Sequence, residues 1–142
     1  MEEARQHSVV IDSSTNIEPA KPCSERALNA LEFRVGRSLP TSLREFATRY
    51  GGAFIGGSVD GAGRYSVLGF LDLERIDQTE GAYLDEYLEV GALPFARCEL
   101  GGIYLLKADN SIWFRLNHAG KTTLEKVSES FEDFLNRIET EE

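Results

Sequence analysis

The residues that could bind phosphate groups stand in incomplete motifs. Gly120-Lys121-Thr122 matches the end of a P-loop, but that motif requires a glycine five residues before Gly120, where this chain has Arg115. A dinucleotide-binding fingerprint would need a third glycine after Gly61-Ala62-Gly63, at the position that Ser66 occupies. Neither motif supports a nucleotide cofactor.

Histidine and cysteine chemistry is also poorly supported. His7 and His118 are far apart, and neither stands at a metal-ligand spacing such as HExxH. The two cysteines, Cys23 and Cys98, form no CxxC pair, so we interpret them as reduced thiols. Cys98 lies in a predicted strand, where cysteine is usually a small buried side chain, although a nearby base could make it a nucleophile. The sequence favours a protein that is not an enzyme and has no metal and no cofactor.

Carboxylates are abundant and unevenly distributed. The chain has 24 acidic and 15 basic residues, a net charge of −9, and residues 71–100 hold eight acids against two bases. These acids are Asp72, Glu74, Asp77, Glu80, Asp85, Glu86, Glu89 and Glu99. Two carboxylates can hydrolyse glycosides, but in so acidic a chain such pairs arise by chance, mostly on solvated helix faces. The cluster therefore either maintains solubility or docks a basic partner.

The acid excess also argues against nucleic acid as a direct ligand, because phosphate binding needs a basic surface. Trp113 is a further candidate contact. It lies between Ile112 and Phe114 in a strand-like run, so it points outward if its neighbours point into the core. An exposed tryptophan is a good interface anchor, and packing against the C-terminal helix is the alternative.

The length and composition predict one domain behind a short arm. The chain has 142 residues, of which 42% are hydrophobic and 27% charged, which is enough for a single core. Residues 1–22 lack periodicity and end in Pro19-Ala20-Lys21-Pro22, which predicts an extended arm, with an edge strand at Val9–Asp12, ahead of a domain over 23–142. No apolar run suits a signal peptide or a membrane span, so we expect a cytoplasmic protein. The sequence leaves the oligomeric state open.

Two helices are predicted at the start of the domain. Apolar residues recur at helical spacing between Ser24, a suitable N-cap, and Gly36, a suitable helix end. The next helix is predicted to start just after Pro40, with Ser42 and Glu45 at the spacing of a capping pair, and to stop at Gly51-Gly52.

The remaining segments predict an antiparallel sheet and two more helices. The predicted strand segments are 53–55, 65–71, 95–98, 103–108, 111–116 and 122–127. The first two form a hairpin around a glycine-rich turn with Gly56, Gly57, Gly61 and Gly63, and Asp109-Asn110 joins 103–108 to 111–116 as a tight hairpin. A helix over 82–90 places tyrosine and leucine on one face and Asp85, Glu86 and Glu89 on the other. A closing helix carries an apolar stripe from Phe131 to Ile138. The fold class is α+β, with one antiparallel sheet flanked by helices.

Several short motifs occur in an order that matches a known family. Leu39-Pro40 leads into Leu43-Arg44-Glu45-Phe46 and Tyr50-Gly51-Gly52, and later segments are Leu93-Pro94-Phe95-Ala96, Gly101-Gly102-Ile103-Tyr104-Leu105 and Ser130-Phe131-Glu132-Asp133-Phe134-Leu135. Together they resemble the SUKH superfamily of Smi/Knr-like domains over most of residues 24–138. Two positions depart from its pattern: Gly102-Ile103 replaces a frequent Gly-Asp pair, and Gly51 replaces the usual Asn.

The resemblance implies a SUKH-like fold that binds proteins and does not catalyse a reaction. Most often such a domain is a cytoplasmic immunity protein against a polymorphic or contact-delivered bacterial toxin, and many of these toxins are nucleases. Because a nuclease needs a basic substrate surface, we expect the acidic helix around Asp85–Glu89 to cover the active site of a cognate toxin. The alternatives are a scaffold or regulatory protein-binding module and a small enzyme that uses Cys98 or an acid pair.

Overall fold

The structure of the protein, a computed structural model, describes residues 18–19, 22–51, 53–59, 65–76, 84, 86–98, 101–118 and 120–140. The edge strand predicted at Val9–Asp12 and the turn glycines Gly61 and Gly63 lie outside these residues. Within the predicted arm, Glu18–Pro19 form a short strand. The boundary between arm and domain at residue 22 stays a prediction.

Helix α1 (Glu25–Val35) begins and ends where the sequence predicts. The Ser24 hydroxyl accepts a hydrogen bond from the Ala27 amide at 3.1 Å. At the other end, Gly36 has a φ of 87° and donates its N–H to the Glu32 carbonyl. Only glycine adopts this left-handed backbone without strain, so the helix terminates there.

Helix α2 (Thr41–Tyr50) begins just after Pro40, as predicted, which is before the predicted capping pair. Its N-cap is Pro40, which makes no side-chain capping hydrogen bond. Ser42 already lies in the first turn, and an N-cap residue needs an extended backbone, so the predicted pairing of Ser42 with Glu45 is wrong. The predicted end is confirmed, because Gly51 follows the last helical residue with a φ of 64°.

The strands that the structure describes all pair antiparallel in one sheet. In chain order the strands are β1 (Glu18–Pro19), β2 (Ala53–Val59), β3 (Ser66–Phe70), β4 (Leu93–Arg97), β5 (Ile103–Leu106), β6 (Ile112–His118), β7 (Lys121–Ser128) and β8 (Ile138–Thr140). Strands β1 to β7 follow one another across the sheet, and β8 returns to pair with β2. Helix α3 (Phe131–Asn136) connects β7 to β8. This arrangement confirms the predicted α+β class.

Two segments differ from the sequence prediction. Strand β2 continues through Gly56 and Gly57, which were predicted to form a turn. Gly56 has a φ of 68°, and the register with β3 shifts between Phe54 and Gly57, so the glycines form a bulge within a strand. The closing helix ends before Ile138, which begins β8. Ile138 is nevertheless buried, because pairing with β2 keeps it at the core.

The main core lies between the helices and one face of the sheet, which we call the core face. An aromatic cluster occupies its centre: Phe46, Phe70, Phe95, Tyr104, Phe131 and Phe134. The ring centroids of Phe95 and Phe131 are 5.5 Å apart, and those of Tyr104 and Phe134 are 5.1 Å apart. These aromatic contacts attach α3 to the strands.

A smaller apolar cluster lies on the opposite face of strands β5 and β6, which we call the back face. Side chains alternate along a strand, so Tyr104 and Leu106 join the core while Ile103 and Leu105 point to the back face. Leu105 pairs in register with Trp113. The back face therefore positions the candidate tryptophan.

Candidate partner-binding surface

Trp113 lies on the back face, as the alternation of strand β6 requires. Its neighbours Ile112 and Phe114 are 0% and 2% exposed and belong to the core. Trp113 itself is half-buried and packs against the cluster of Ala92, Ile103 and Leu105. It does not pack against the C-terminal helix, which contributes to the opposite face.

The Trp113 ring is held by the turn that joins β5 to β6. Its indole Nε1–H donates to the Ser111 hydroxyl at 2.8 Å, and that hydroxyl donates to Asp109 Oδ1 at 2.5 Å. The hydrogen bonds from the Ser111 hydroxyl and amide hold the pKa of the Asp109 carboxyl below its usual range. The ammonium of Lys107 lies 4.2 Å from the centroid of the Trp113 ring, which is close enough for a cation–π contact. Trp113 is thus pre-oriented, with one edge and one face already occupied.

Tyr87 connects this surface to the acidic helical segment, in which Leu84 and residues 86–89 are helical. The Tyr87 side chain packs against the back-face cluster, and its hydroxyl accepts a hydrogen bond from Arg115 Nη1 at 3.3 Å. Leu84 is fully buried in the main core. The predicted separation of an apolar and an acidic face is therefore confirmed in the described part of this helix.

Glu86 and Glu89 are exposed on that segment. They flank Tyr87 in the sequence, and Tyr87 shares the back-face cluster with Trp113. Three of the candidate residues, one aromatic and two acidic, therefore lie in one region. Two solvated carboxylates on a helical segment that packs against an oriented aromatic cluster can attract a basic partner, which can then bury apolar surface against that cluster.

Asp72 and Glu74 have structural contacts of their own. Asp72 Oδ1 accepts a hydrogen bond from the Glu74 amide at 3.0 Å and caps the 3-10 helix Leu73–Arg75. Glu74 Oε1 accepts one from the Ser24 amide at 2.8 Å, at the start of α1. The two carboxylates connect the 3-10 helix to the start of α1, so their charge is only partly available to a partner. The other candidates, Asp77, Glu80, Asp85 and Glu99, lie outside the described residues.

Both cysteines are free and buried, and the sequence had predicted burial for Cys98 alone. Burial, with a further contribution from the Glu74 carboxylate, raises the pKa of the Cys23 thiol to about 12. Cys23 is therefore protonated at neutral pH and a poor nucleophile. Cys98 Sγ accepts a hydrogen bond from the Gly102 amide at 3.1 Å.

The described residues contain neither a metal-ligand cluster nor a membrane-spanning helix. No three histidine, cysteine, aspartate or glutamate side chains converge there in a group that could hold a metal ion. None of the helices described is both long enough and apolar enough to cross a membrane.

Sequence reasoning missed two basic residues of this region, Lys107 and Arg115. Arg115 follows Trp113 by two positions, so strand alternation alone could have placed both on one face. Lys107 reaches the ring only across the β5–β6 turn, so its position required the hairpin register. Because the net charge of the chain is negative, composition alone did not indicate this local cluster of basic residues.

Comparison with known families gives one match. The model of the SMI1 / KNR4 family (SUKH-1) matches residues 22–137, a range that includes α1, α2, α3 and strands β2 to β7. The chain has no match among the curated proteins.

Proposed function

Because this chain belongs to the SMI1 / KNR4 family (SUKH-1), we propose that it is an immunity protein, which binds and neutralises a cognate bacterial toxin. It acts from the cytoplasm by covering the active site of the toxin and not by catalysing a reaction. The candidate contact surface consists of Trp113 and the acidic cluster of residues 72–99.

The observation that carries this proposal is that two exposed carboxylates, Glu86 and Glu89, lie on the helical segment whose Tyr87 packs into the same cluster as the oriented Trp113. Glu86 and Glu89 lie in solvent, while Tyr87 between them packs into the same cluster as Trp113. Interfaces concentrate binding energy in aromatic anchors and use surrounding charge to steer the partner. The surface supplies both.

The acidic charge indicates the chemistry of the partner. A toxin that acts on nucleic acid needs a basic substrate surface, because it must neutralise phosphates. Glu86 and Glu89 complement such a surface, together with Asp77, Glu80, Asp85 and Glu99, which are assigned to it from the sequence alone. A complex formed there would exclude the substrate sterically and electrostatically.

Co-expression with the toxic domain encoded beside this gene tests the proposal. Cells that produce both proteins should survive, and the two should co-purify as a stoichiometric complex. The double charge reversal Glu86→Lys/Glu89→Lys should weaken the complex by about tenfold or more, since it removes attraction at two positions and adds repulsion.

Glu45→Lys is the matched control, because Glu45 is an exposed glutamate of α2. This variant should protect cells as well as the wild-type chain does. If the wild-type chain gives neither survival nor a complex, the cognate-toxin assignment is contradicted and a scaffold or regulatory module is favoured. Protection that withstands the Glu86/Glu89 reversal would place the contact surface elsewhere.

A further inference from the structure

Helix α1 presents one side to the solvent. The fully buried Leu28 lies on the opposite side, where α1 joins the main core. Four exposed residues fall within an arc of about 100°, which we call the outer face: Arg26, Ala30, Phe33 and Arg34.

The carboxylates of α1 lie on a different side, towards α2. Arg44 of α2 forms an ion pair with Glu32 at 3.0 Å and a second one with Glu25. Glu32 Oε2 also accepts a hydrogen bond from the Leu39 amide at 2.8 Å. Because Glu25 and Glu32 are the only acids of α1, the helix contributes cations and no carboxylate to its outer face. The outer face is therefore basic in a chain whose net charge is −9.

Phe33 lies near the centre of this surface and is 90% exposed. It is the most exposed of the large apolar side chains that the structure describes. The isolated chain therefore gains almost nothing from burial of this ring. Phenylalanine also has a lower helix propensity than alanine, so Phe33 does not favour the helix either.

Arg26 stands where a cation is unfavourable for the helix. It is the second residue of α1, next to the free amide groups that give a helix N-terminus a partial positive charge. Arg34 already has an interaction within the protein, so Arg26 is the cation that matters here. Neither Arg26 nor Phe33 is thus explained by the stability of α1, and the two residues lie roughly 10 Å apart along the helix axis.

From this combination we infer that the outer face of α1 binds an acidic amphipathic helix of a protein partner. An apolar side chain of that helix covers Phe33, and a carboxylate two turns away pairs with Arg26. An aromatic anchor with bordering charge is the usual composition of such a contact.

This surface differs in charge from the one assigned to the toxin. Glu86 and Glu89 fit a basic partner, whereas Arg26 and Phe33 fit an acidic one. The inference is independent of the proposed immunity function, because its test uses this chain alone.

Three other occupants match the outer face less well. A second copy that presented the same face would bring the arginines of both copies together. An anionic membrane needs a broad apolar helix face, and here Phe33 is the only large apolar side chain. A nucleic acid offers an extended array of phosphates, which would also meet the many carboxylates of this acidic chain. A short acidic helix meets α1 alone.

Titration of the full chain with a twenty-residue helical peptide tests the inference. The peptide carries leucine along one face and glutamate on the flanking positions. Amide NMR shifts should concentrate in residues 25–37, together with shifts of the Phe33 ring. A matched peptide with lysine in place of each glutamate should leave α1 unshifted. A third peptide with alanine in place of each leucine should bind several-fold more weakly, because it keeps the charge and loses the apolar contact.

Two variants of exposed residues locate the contact. Phe33→Ala should weaken binding of the leucine–glutamate peptide by about tenfold. Arg26→Glu should weaken it by about threefold to fivefold, since attraction becomes repulsion. A glutamate at this position favours the helix, so unfolding of α1 would not explain the loss. Lys121→Glu is the control, because it changes the net charge equally at an exposed residue of β7 and should leave binding unchanged.

Four results would overturn the inference. The first is an absence of shifts in α1 at millimolar peptide. The second is equal binding of the peptide by the wild-type chain, Phe33→Ala and Arg26→Glu. The third is tighter binding of phosphatidylserine vesicles or of a single-stranded oligonucleotide than of the peptide. The fourth is a set of α1 shifts that depends on protein concentration alone, which would indicate a second copy of this chain.

Discussion

The two faces of strands β5 to β7 are built from one alternating sequence and carry different chemistry. On the core face, the rings of Tyr104 and Phe114 lie 4.8 Å apart, and both are almost fully buried. On the back face, Trp113 and Arg115 remain half-buried and contact polar or charged groups. Each strand thus contributes at once to a dry core and to a solvated surface.

The core face therefore contributes mainly to stability, whereas the back face is available for recognition. The Tyr104 hydroxyl, at the core face, donates a hydrogen bond to the Ser66 carbonyl at 2.8 Å, and burial raises the pKa of this hydroxyl. Cations such as Lys107 and Arg115 could not occupy that environment without a large desolvation cost. On the back face they keep contact with water, so this face can vary in charge without unfolding the domain.

The largest loss of stability is expected when an aromatic ring is removed from the core face. Phe131 is 0% exposed and contacts Phe46, Phe70, Phe95 and Phe134. Phe131→Ala should lower the free energy of unfolding by about 3–5 kcal/mol, because it removes buried area and leaves a cavity. Urea denaturation measures this loss.

Phe33→Ala provides the matched control, since the Phe33 side chain is 90% exposed on α1. Its unfolding free energy should stay within about 0.5 kcal/mol of the wild-type value. Equal losses for the two variants would mean that Phe33 is buried in solution, for example against a partner chain.

A smaller effect on stability is expected at the back face. Trp113→Ala should cost about 1–2 kcal/mol, because the side chain is only half-buried, whereas Trp113→Phe should cost less because it retains most of the apolar contact. Both values come from urea denaturation of the isolated chain. A loss from Trp113→Ala as large as that from Phe131→Ala would show that the back face is a second core.

The smallest expected effect concerns the turn that orients Trp113. The folded-state pKa of Asp109 is depressed by the hydrogen bonds from Ser111. The ionised Asp109 carboxylate therefore stabilises the fold at pH values above its unfolded-state pKa. This stabilisation is lost as the pH falls through the folded-state pKa. In Ser111→Ala the pKa of Asp109 should move back towards its ordinary value, which carbon NMR of the carboxyl group can follow. An unchanged pKa would mean that another group stabilises the carboxylate.

The sequence predicted elements well where the signals were local. The Ser24 and Gly36 caps of α1 and the Asp109-Asn110 hairpin depend on neighbouring residues, and each is present in the structure. The capping pair at Ser42 was wrong because Pro40 and Thr41 had already begun the helix. The turn at Gly56 was wrong because a bulge, which needs a partner strand, leaves the same glycine signature as a turn.

The candidate surface was predictable in part for the same reason. Helical periodicity placed Glu86 and Glu89 in solvent, and strand alternation placed Trp113 opposite Ile112 and Phe114. The hydrogen bonds of Asp72 and Glu74 were not predictable, because their partners depend on how the 3-10 helix packs beside α1. The same holds for Ile138, whose burial is compatible with either a longer helix or the observed strand.

The sequence by itself determined the α+β class, the family resemblance, the acidic segment and the aromatic residues of the core, since these follow from composition, spacing and alternation. Only the tertiary structure decided that Lys107 and Lys126 lie on the same face as Trp113 and Arg115. Contacts between strands depend on register, and a shift of one residue would send every side chain to the opposite face.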